Sequence, residues 1–291
     1  MSEPTVERVD HERWGESVRI ANGTIELLAP TTIGPRIVRF GFEGGPNEFR
    51  IFEEGREEWP LIGGHRLWHA PEDGDRTYEP DTDPVDAEVL VDGVRLVGPE
   101  DPGAGVQKTI TVRMGTGASV EVEHELTNRS SWPLEFAPWG ISVLKLQGTA
   151  VLPFSPQADE GSLLPDRSIQ LWPYTTPGDD RIDFEERHVS VSQQTDRDAM
   201  KLGTSGADGW LAYYNDGHVF RKDYPYDPSG TYPDAGSAAE VYTNQNVMEV
   251  ESLGPLRTVE PGEAATHTET WTVADSVDAP TDADAIEPDE I

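Results

Sequence analysis

An all-β fold in a single domain is predicted by three observations. Residues 16–273 run as short stretches of alternating apolar and polar side chains, broken by Gly, Pro and Asp. No window sustains a 3.6-residue period; only residues 194–201 could form a turn or two of helix. The span also suits one β-sandwich, a class that often reaches about 200–250 residues without dividing, and no internal repeat is evident.

Taken in order, alternation predicts strands at 18–20, 24–29, 36–42, 49–53, 87–91, 94–98 and 106–113. The clearest is Ser119 to Thr127, with Val120, Val122, His124 and Leu126 in one phase and Glu121, Glu123 and Glu125 in the other. That acidic face reads as solvated and His124 as a core histidine. Asn128-Arg129-Ser130-Ser131 is a turn, and Pro133 to Leu146 supplies the return strand. Further strands are expected at 149–152, 167–173, 187–191, 209–214, 218–222, 238–243, 246–252 and 265–273. Asn215-Asp216-Gly217 is a hairpin signal that leaves His218 exposed. Residues 1–15 read as a loosely ordered arm. Residues 274–291 hold seven acids and no base, and read as a disordered tail.

The chain carries 55 acidic against 22 basic residues, a net charge of -33, and its only lysines are Lys108, Lys145, Lys201 and Lys222. Nucleic acid and anionic membrane both require a positive patch, so neither is an expected partner. The charge itself reads as adaptation to concentrated salt, as in a halophile, where screening shortens to about 3 Å at 1 M. The N-terminal residues carry no export signal, no apolar run approaches the roughly 20 residues of a membrane span, and there is no Cys. The expectation is a cytoplasmic protein without disulfides.

Residues 247–271 hold the most chemical information. In Val247-Met248-Glu249-Val250-Glu251 the two glutamates share one face and Met248 and Val250 the other. Leu253-Gly254-Pro255 ends the run, Glu260-Pro261-Gly262-Glu263 turns the chain, and the next strand closes on Glu269-Thr270-Trp271. With Gly34-Pro35-Arg36-Ile37, the segment Gly63 to Glu72 (GGHRLWHAPE) and the loop Lys222 to Asp234 (KDYPYDPSGTYPD), this pattern resembles the galactose mutarotase-like, or aldose 1-epimerase-like, superfamily, and within it a branch of unassigned reaction. The resemblance covers most of residues 18–273 and implies the β-supersandwich of that superfamily.

Sugar 1-epimerases of the superfamily pair a carboxylate, which takes the anomeric hydroxyl proton, with an acid, usually His, that protonates the ring oxygen. The resemblance therefore points to Glu249 as the base, preferred over Glu251 for its apolar flanks, and to Arg66 as the arginine that contacts sugar hydroxyls. Where better-characterised members carry a His, this chain has Glu135-Phe136-Ala137-Pro138-Trp139-Gly140-Ile141, which has none. Trp139 can stack on a sugar but cannot donate to its ring oxygen. His65, His69, His124 and Lys222 remain as substitutes.

Read on its own, Gly63 to Glu72 offers forked donors in Arg66, a stacking face in Trp68 and two titratable rings in His65 and His69. A metal reading, His65-x3-His69-x2-Glu72, is weak, because a helical i, i+4 pair does not fit between two glycines and a proline. Lys222, Tyr224, Tyr232 and Asp234 fall in a Pro-rich loop suited to the rim of a groove, and Asp159 adds an acceptor from an opposite rim. No cofactor and no metal are assigned, and the expected partner is a small saccharide. Three functions stay open, in descending order: a sugar 1-epimerase, a non-catalytic carbohydrate-binding module, and a polysaccharide lyase or hydrolase.

Overall fold

The computed structural model describes residues 3–52, 62–156 and 161–275. Among the described residues the regular structure is almost wholly antiparallel strand, arranged in three sheets. A four-stranded sheet runs β1 (Thr5–His11), β2 (Gly15–Ala21), β3 (Ile25–Pro30), β5 (Arg39–Phe42). A ten-stranded sheet has the order β14 (Ile182–Phe184), β15 (His188–Ser192), β12 (Thr149–Pro153), β17 (Trp210–Asn215), β18 (His218–Asp223), β22 (Ala264–Asp275), β10 (Ser119–Asn128), β9 (Val106–Met114), β8 (Gly93–Asp101), β7 (Asp86–Val89). The third has the order β13 (Ile169–Leu171), β16 (Met200–Thr204), β19 (Ala239–Asn244), β20 (Val247–Leu253), β11 (Leu134–Val143), β6 (Gly64–Ala70), β4 (Arg36–Ile37), with β21 (Arg257–Val259) paired to β11.

The second and third sheets pack face to face, β11 against β10 and β22, β6 against β9, and β20 against β17. Alternation places the core between them. In β10, Val120, Val122, His124 and Leu126 are buried, and β22 sends Ala265, His267, Glu269, Trp271 and Val273 inward. Trp271 anchors an edge-to-face aromatic group with Phe40, Phe49 and Phe220, at centroid distances of 5.6 to 5.8 Å. The β17–β18 hairpin closes on Asp216 and Gly217, both with positive φ, as its Asn-Asp-Gly sequence requires.

Several expectations are corrected. Residues 194–201 contain no helix: Met200–Thr204 is β16, because Met200 and Leu202 are buried in the core cluster while Lys201 points the other way. The helical turn found among the described residues is Pro233–Gly236, where Asp234 and Ala235 adopt positive φ. Residues 5–11, read as part of a loose arm, form β1, paired residue for residue with β2. The expected strand 36–42 divides between two sheets as β4 and β5, and the described part of 49–53 holds single bridges at Phe49 and Ile51. Most of the acidic tail, from residue 276, lies outside the described residues; Ala274 and Asp275 close β22.

Candidate functional site

The outer face of the third sheet carries an open groove of about 500 Å³. Five neighbouring strands build its floor by register. On β6 and β11, Arg66 stands opposite Ile141 and Trp68 opposite Trp139; on β11 and β20, Ile141 stands opposite Glu251. Across β19, Tyr242 stands opposite Glu249 on one side and Lys201 of β16 on the other. Glu72, Tyr78, Trp172 and Tyr174 come from flanking connections and complete the walls. β6 reaches this position because Gly63 and Gly64 have positive φ and touch backbone: a Cβ would lie 2.1 Å from the Arg50 carbonyl oxygen at the first and 2.3 Å from that of Ile37 at the second.

The groove's charges are paired across strands. Arg66 Nη2 donates to Glu249 Oε1 at 3.0 Å, and its guanidinium lies 4.4 Å over the Trp68 ring. Lys201 Nζ sits 2.8 Å from both Glu251 Oε2 and Glu240 Oε2, and packs over Trp139 and Trp172 at 4.4 and 4.8 Å. Trp139 Nε1 also donates to Glu251 Oε2, at 2.8 Å. Glu72 accepts the Tyr78 hydroxyl. Burial raises the Glu249 carboxyl above the ordinary range; Arg66 opposes the shift and the Glu251 charge adds to it. Burial likewise raises Glu240 well above that range, with Lys201 opposing and Glu251 and Asp234 reinforcing. Burial works against the Lys201 ammonium, but Glu240 and Glu251 outweigh it and keep the amine charged.

The inward face of the same strands carries a second polar cluster that is closed to solvent. Its hydrogen bonds can be assigned proton by proton. Lys222 Nζ donates to Glu269 Oε1 at 3.0 Å and to the Gly140 carbonyl at 3.1 Å, Ser252 Oγ donates to the same Oε1, and Trp271 Nε1 donates to Oε2 at 2.5 Å. With its own proton so used, Ser252 Oγ accepts from His267 Nε2 at 2.7 Å. His124 Nδ1 donates to the His267 carbonyl at 3.0 Å, so His124 Nε2 accepts from His65 Nε2 at 2.7 Å and His65 Nδ1 accepts from Ser142 Oγ at 2.9 Å. Both nitrogens of His65 and His124 are thereby bonded while the rings are neutral, and burial lowers all three imidazoles below their usual range, His267 to about 3. Burial opposes the Glu269 anion, yet Lys222 and its other partners hold it down to about 2. At Gly140 a Cβ would lie 2.8 Å from Glu269 Oε1.

His65, His124 and Glu269 bring potential ligand atoms within 4.8 Å of one another. The 2.7 Å separation of the two imidazole nitrogens is that of a shared proton, and the Lys222 ammonium already neutralises the carboxylate. The donor set fits a hydrogen-bonded network and does not fit a cation.

Of the residues singled out from sequence, Arg66, Trp68, Trp139, Glu249 and Glu251 meet in the groove. The two histidines assigned catalytic roles do not. His65 is fully buried on the inward face, and His69, in the same phase of β6, meets the Arg76 carbonyl at 3.2 Å. Lys222 belongs to the interior, fully buried. Tyr224 donates to the Gly206 carbonyl at 3.2 Å, and Tyr232 stacks on Tyr226 and accepts the Asp227 amide, so neither faces the groove. Asp234 lies beside Glu240, outside the groove lining, its carboxyl raised chiefly by burial. Asp159 lies outside the described residues. His218 is largely covered and bonds Glu48 Oε1 at 2.7 Å. Sequence reasoning missed Lys201, Tyr242, Trp172, Tyr174 and Tyr78. Lys201 had a signal: it is one of four lysines and alternates with Met200 and Leu202.

No protein-family profile matches this chain, and no curated protein matches it by sequence. Solved structures do match in shape. A galactose mutarotase-like protein from Lactobacillus casei superposes with a TM-score of 0.61 at 10% identity, covering 89% of this chain and 100% of that one. A candidate aldose 1-epimerase from Klebsiella pneumoniae gives 0.61 at 13% identity, covering 94% and 84%. Another from Escherichia coli K12 gives 0.55 at 11% identity, covering 94% and 99%. The fold is the galactose mutarotase-like β-sandwich.

Proposed function

We propose that the groove binds a saccharide ring and exchanges its anomers, with Glu249 as the general base. The observation that carries this reading is the Glu249 carboxyl itself: 8% exposed, raised toward neutrality, held by one arginine nitrogen on the floor of an aromatic-walled groove. A base poised in this way can take a hydroxyl proton and return it. Trp68, Trp139, Trp172, Tyr174 and Tyr242 offer stacking faces for a pyranose, while Arg66 and Glu251 offer charged partners for its hydroxyls. Glu72, Glu249 and Glu251 outnumber Arg66 and Lys201, which disfavours a polyuronate and with it a lyase.

The test is exchange of the anomeric NMR signals of glucose, galactose, mannose and xylose above the spontaneous rate. Glu249→Gln keeps the shape but cannot hold the proton, and should lower exchange by about 10²-fold or more while sugar binding persists. A second reading has its own support: Glu249 and Glu251 are already bonded by Arg66, Lys201 and Trp139, and no imidazole lines the groove among the described residues. Binding without any acceleration by the wild-type chain would establish the groove as a carbohydrate-binding site alone.

A further inference from the structure

We propose that Tyr242 is the proton donor to the sugar ring oxygen, the acid partner of Glu249. This rests on the epimerase reading above. Tyr242 and Glu249 are directly opposed across the β19–β20 pair, on the groove face, where the Cβ atoms of opposed residues stand about 4.5–5.5 Å apart. A base and a donor so placed can address the anomeric hydroxyl and the ring oxygen, which share one carbon.

The hydrogen bonds leave Tyr242 its proton. Asn244 Oδ1 accepts the backbone N–H of Asn246 at 2.7 Å, which fixes the amide orientation, so Asn244 Nδ2 donates to the Tyr242 oxygen at 3.0 Å. The phenol oxygen therefore accepts from Asn244, and among the described residues its own O–H donates to no protein group. Several other donors of the groove floor are engaged by carboxylates. Arg66 Nη2 is on Glu249, Lys201 is on Glu251 and Glu240, Trp139 Nε1 is on Glu251, and the Tyr78 hydroxyl is on Glu72. Tyr174 is the remaining hydroxyl, but it stands on a connecting turn, its ring 6.5 Å from that of Tyr242 and 49% exposed. Burial, with Glu249 and Glu251 adding, keeps Tyr242 protonated across the neutral range. A phenol is ordinarily more acidic than the alcohol formed when it protonates O5.

The step balances without a co-reactant. Glu249 takes the O1 proton, the O1 electron pair forms the C1=O1 double bond, the C1–O5 bond breaks, and O5 takes the Tyr242 proton. Rotation about C1–C2 presents the other carbonyl face. O5 then returns its proton to the tyrosinate and attacks C1, and O1 recovers the proton held by Glu249.

The experiment compares the full chain with its Tyr242→Phe variant on whichever of the four test sugars exchanges fastest, and on its ring-sulfur analogue. Tyr242→Phe should lower kcat by about 10²-fold with KM and binding changed by less than about threefold. The analogue adds a readout that a structural role would not move. A thiolate leaves without a donor, so the Tyr242→Phe penalty should fall toward unity on the thio-sugar. Retention of kcat in Tyr242→Phe, or an equal penalty on oxygen and sulfur rings, overturns the assignment while leaving Glu249 as base. Absence of exchange by the wild-type chain overturns both.

Discussion

Glu249 and Glu269 are both glutamates opposite a cation in the same sandwich, and their carboxyls shift in opposite directions. Glu249 sits on the groove face with one guanidinium nitrogen and is raised; Glu269 sits on the inward face with an ammonium, a hydroxyl and an indole N–H, and is lowered to about 2. Burial penalises both anions. The neighbouring charges decide which way the balance falls: Lys222 leads the partners that outweigh burial at Glu269, while at Glu249 the Glu251 charge reinforces burial against Arg66. Strands β6, β11 and β20 carry one site on each face: an open one whose Glu249 carboxyl is raised, and a closed one whose neighbour Glu269 is lowered.

The largest expected effect lies in the closed cluster. Lys222→Met leaves Glu269 buried without its counter-charge, and unfolding in urea should show a loss of about 3–5 kcal/mol. The groove substitution Glu249→Gln keeps an acceptor for Arg66 on the open face and should cost less than that. Equal costs would dissolve the distinction between the two faces.

Acid separates the faces further, with opposite signs. His65, His124 and His267 are held neutral, and His267 titrates near 3 in the fold against an ordinary 6.5, so the unfolded chain takes up protons that the fold refuses. Stability is lost as pH falls from about 6.5, each such histidine steepening the loss by about 1.4 kcal/mol per pH unit. Glu269 adds to this loss between 4.5 and 2. Glu249 and Glu240, raised above 4.5, take their protons earlier in the fold than in the unfolded chain and recover stability as pH falls through their range. Denaturant unfolding at pH 7.0, 5.5 and 4.5 should therefore show a net fall, made shallower by about one histidine's share in His267→Gln. An unchanged slope in that variant would mean that His267 is not held neutral.

How much of this was legible follows from how each strand sits. β20 and β10 announce themselves because their two faces differ in chemistry. β6 does not: every residue from Gly64 to Ala70 is buried, yet three are His65, Arg66 and His69, so no apolar alternation marks the strand. Its histidines then looked like site residues, when the parity that aims Arg66 and Trp68 into the groove aims His65 and His69 away from it. β1 is mostly exposed and forms through pairing with β2, which local sequence does not express. The opposition of Tyr242 and Glu249 was within reach, since a two-residue hairpin at Gln245 and Asn246 fixes that register. The interior network was out of reach because β6, β10, β11, β18, β20 and β22 each contribute to it from distant parts of the chain.

The smallest expected effect is a null difference, and it tests whether the inward cluster is closed. With a net charge of -33 the surface repels itself, and raising KCl from 0.1 to 1 M shortens the screening length from about 10 to 3 Å, so the wild-type unfolding midpoint should rise. Lys222 and Glu269 have no exposed side-chain surface, and mobile ions cannot enter between them. The cost of Lys222→Met should therefore be the same at both salt concentrations to within about 0.5 kcal/mol, since distant charges contribute additively. A penalty that shrinks in 1 M KCl would mean that ions or water reach Glu269, and the two faces would then differ in degree of access rather than in kind.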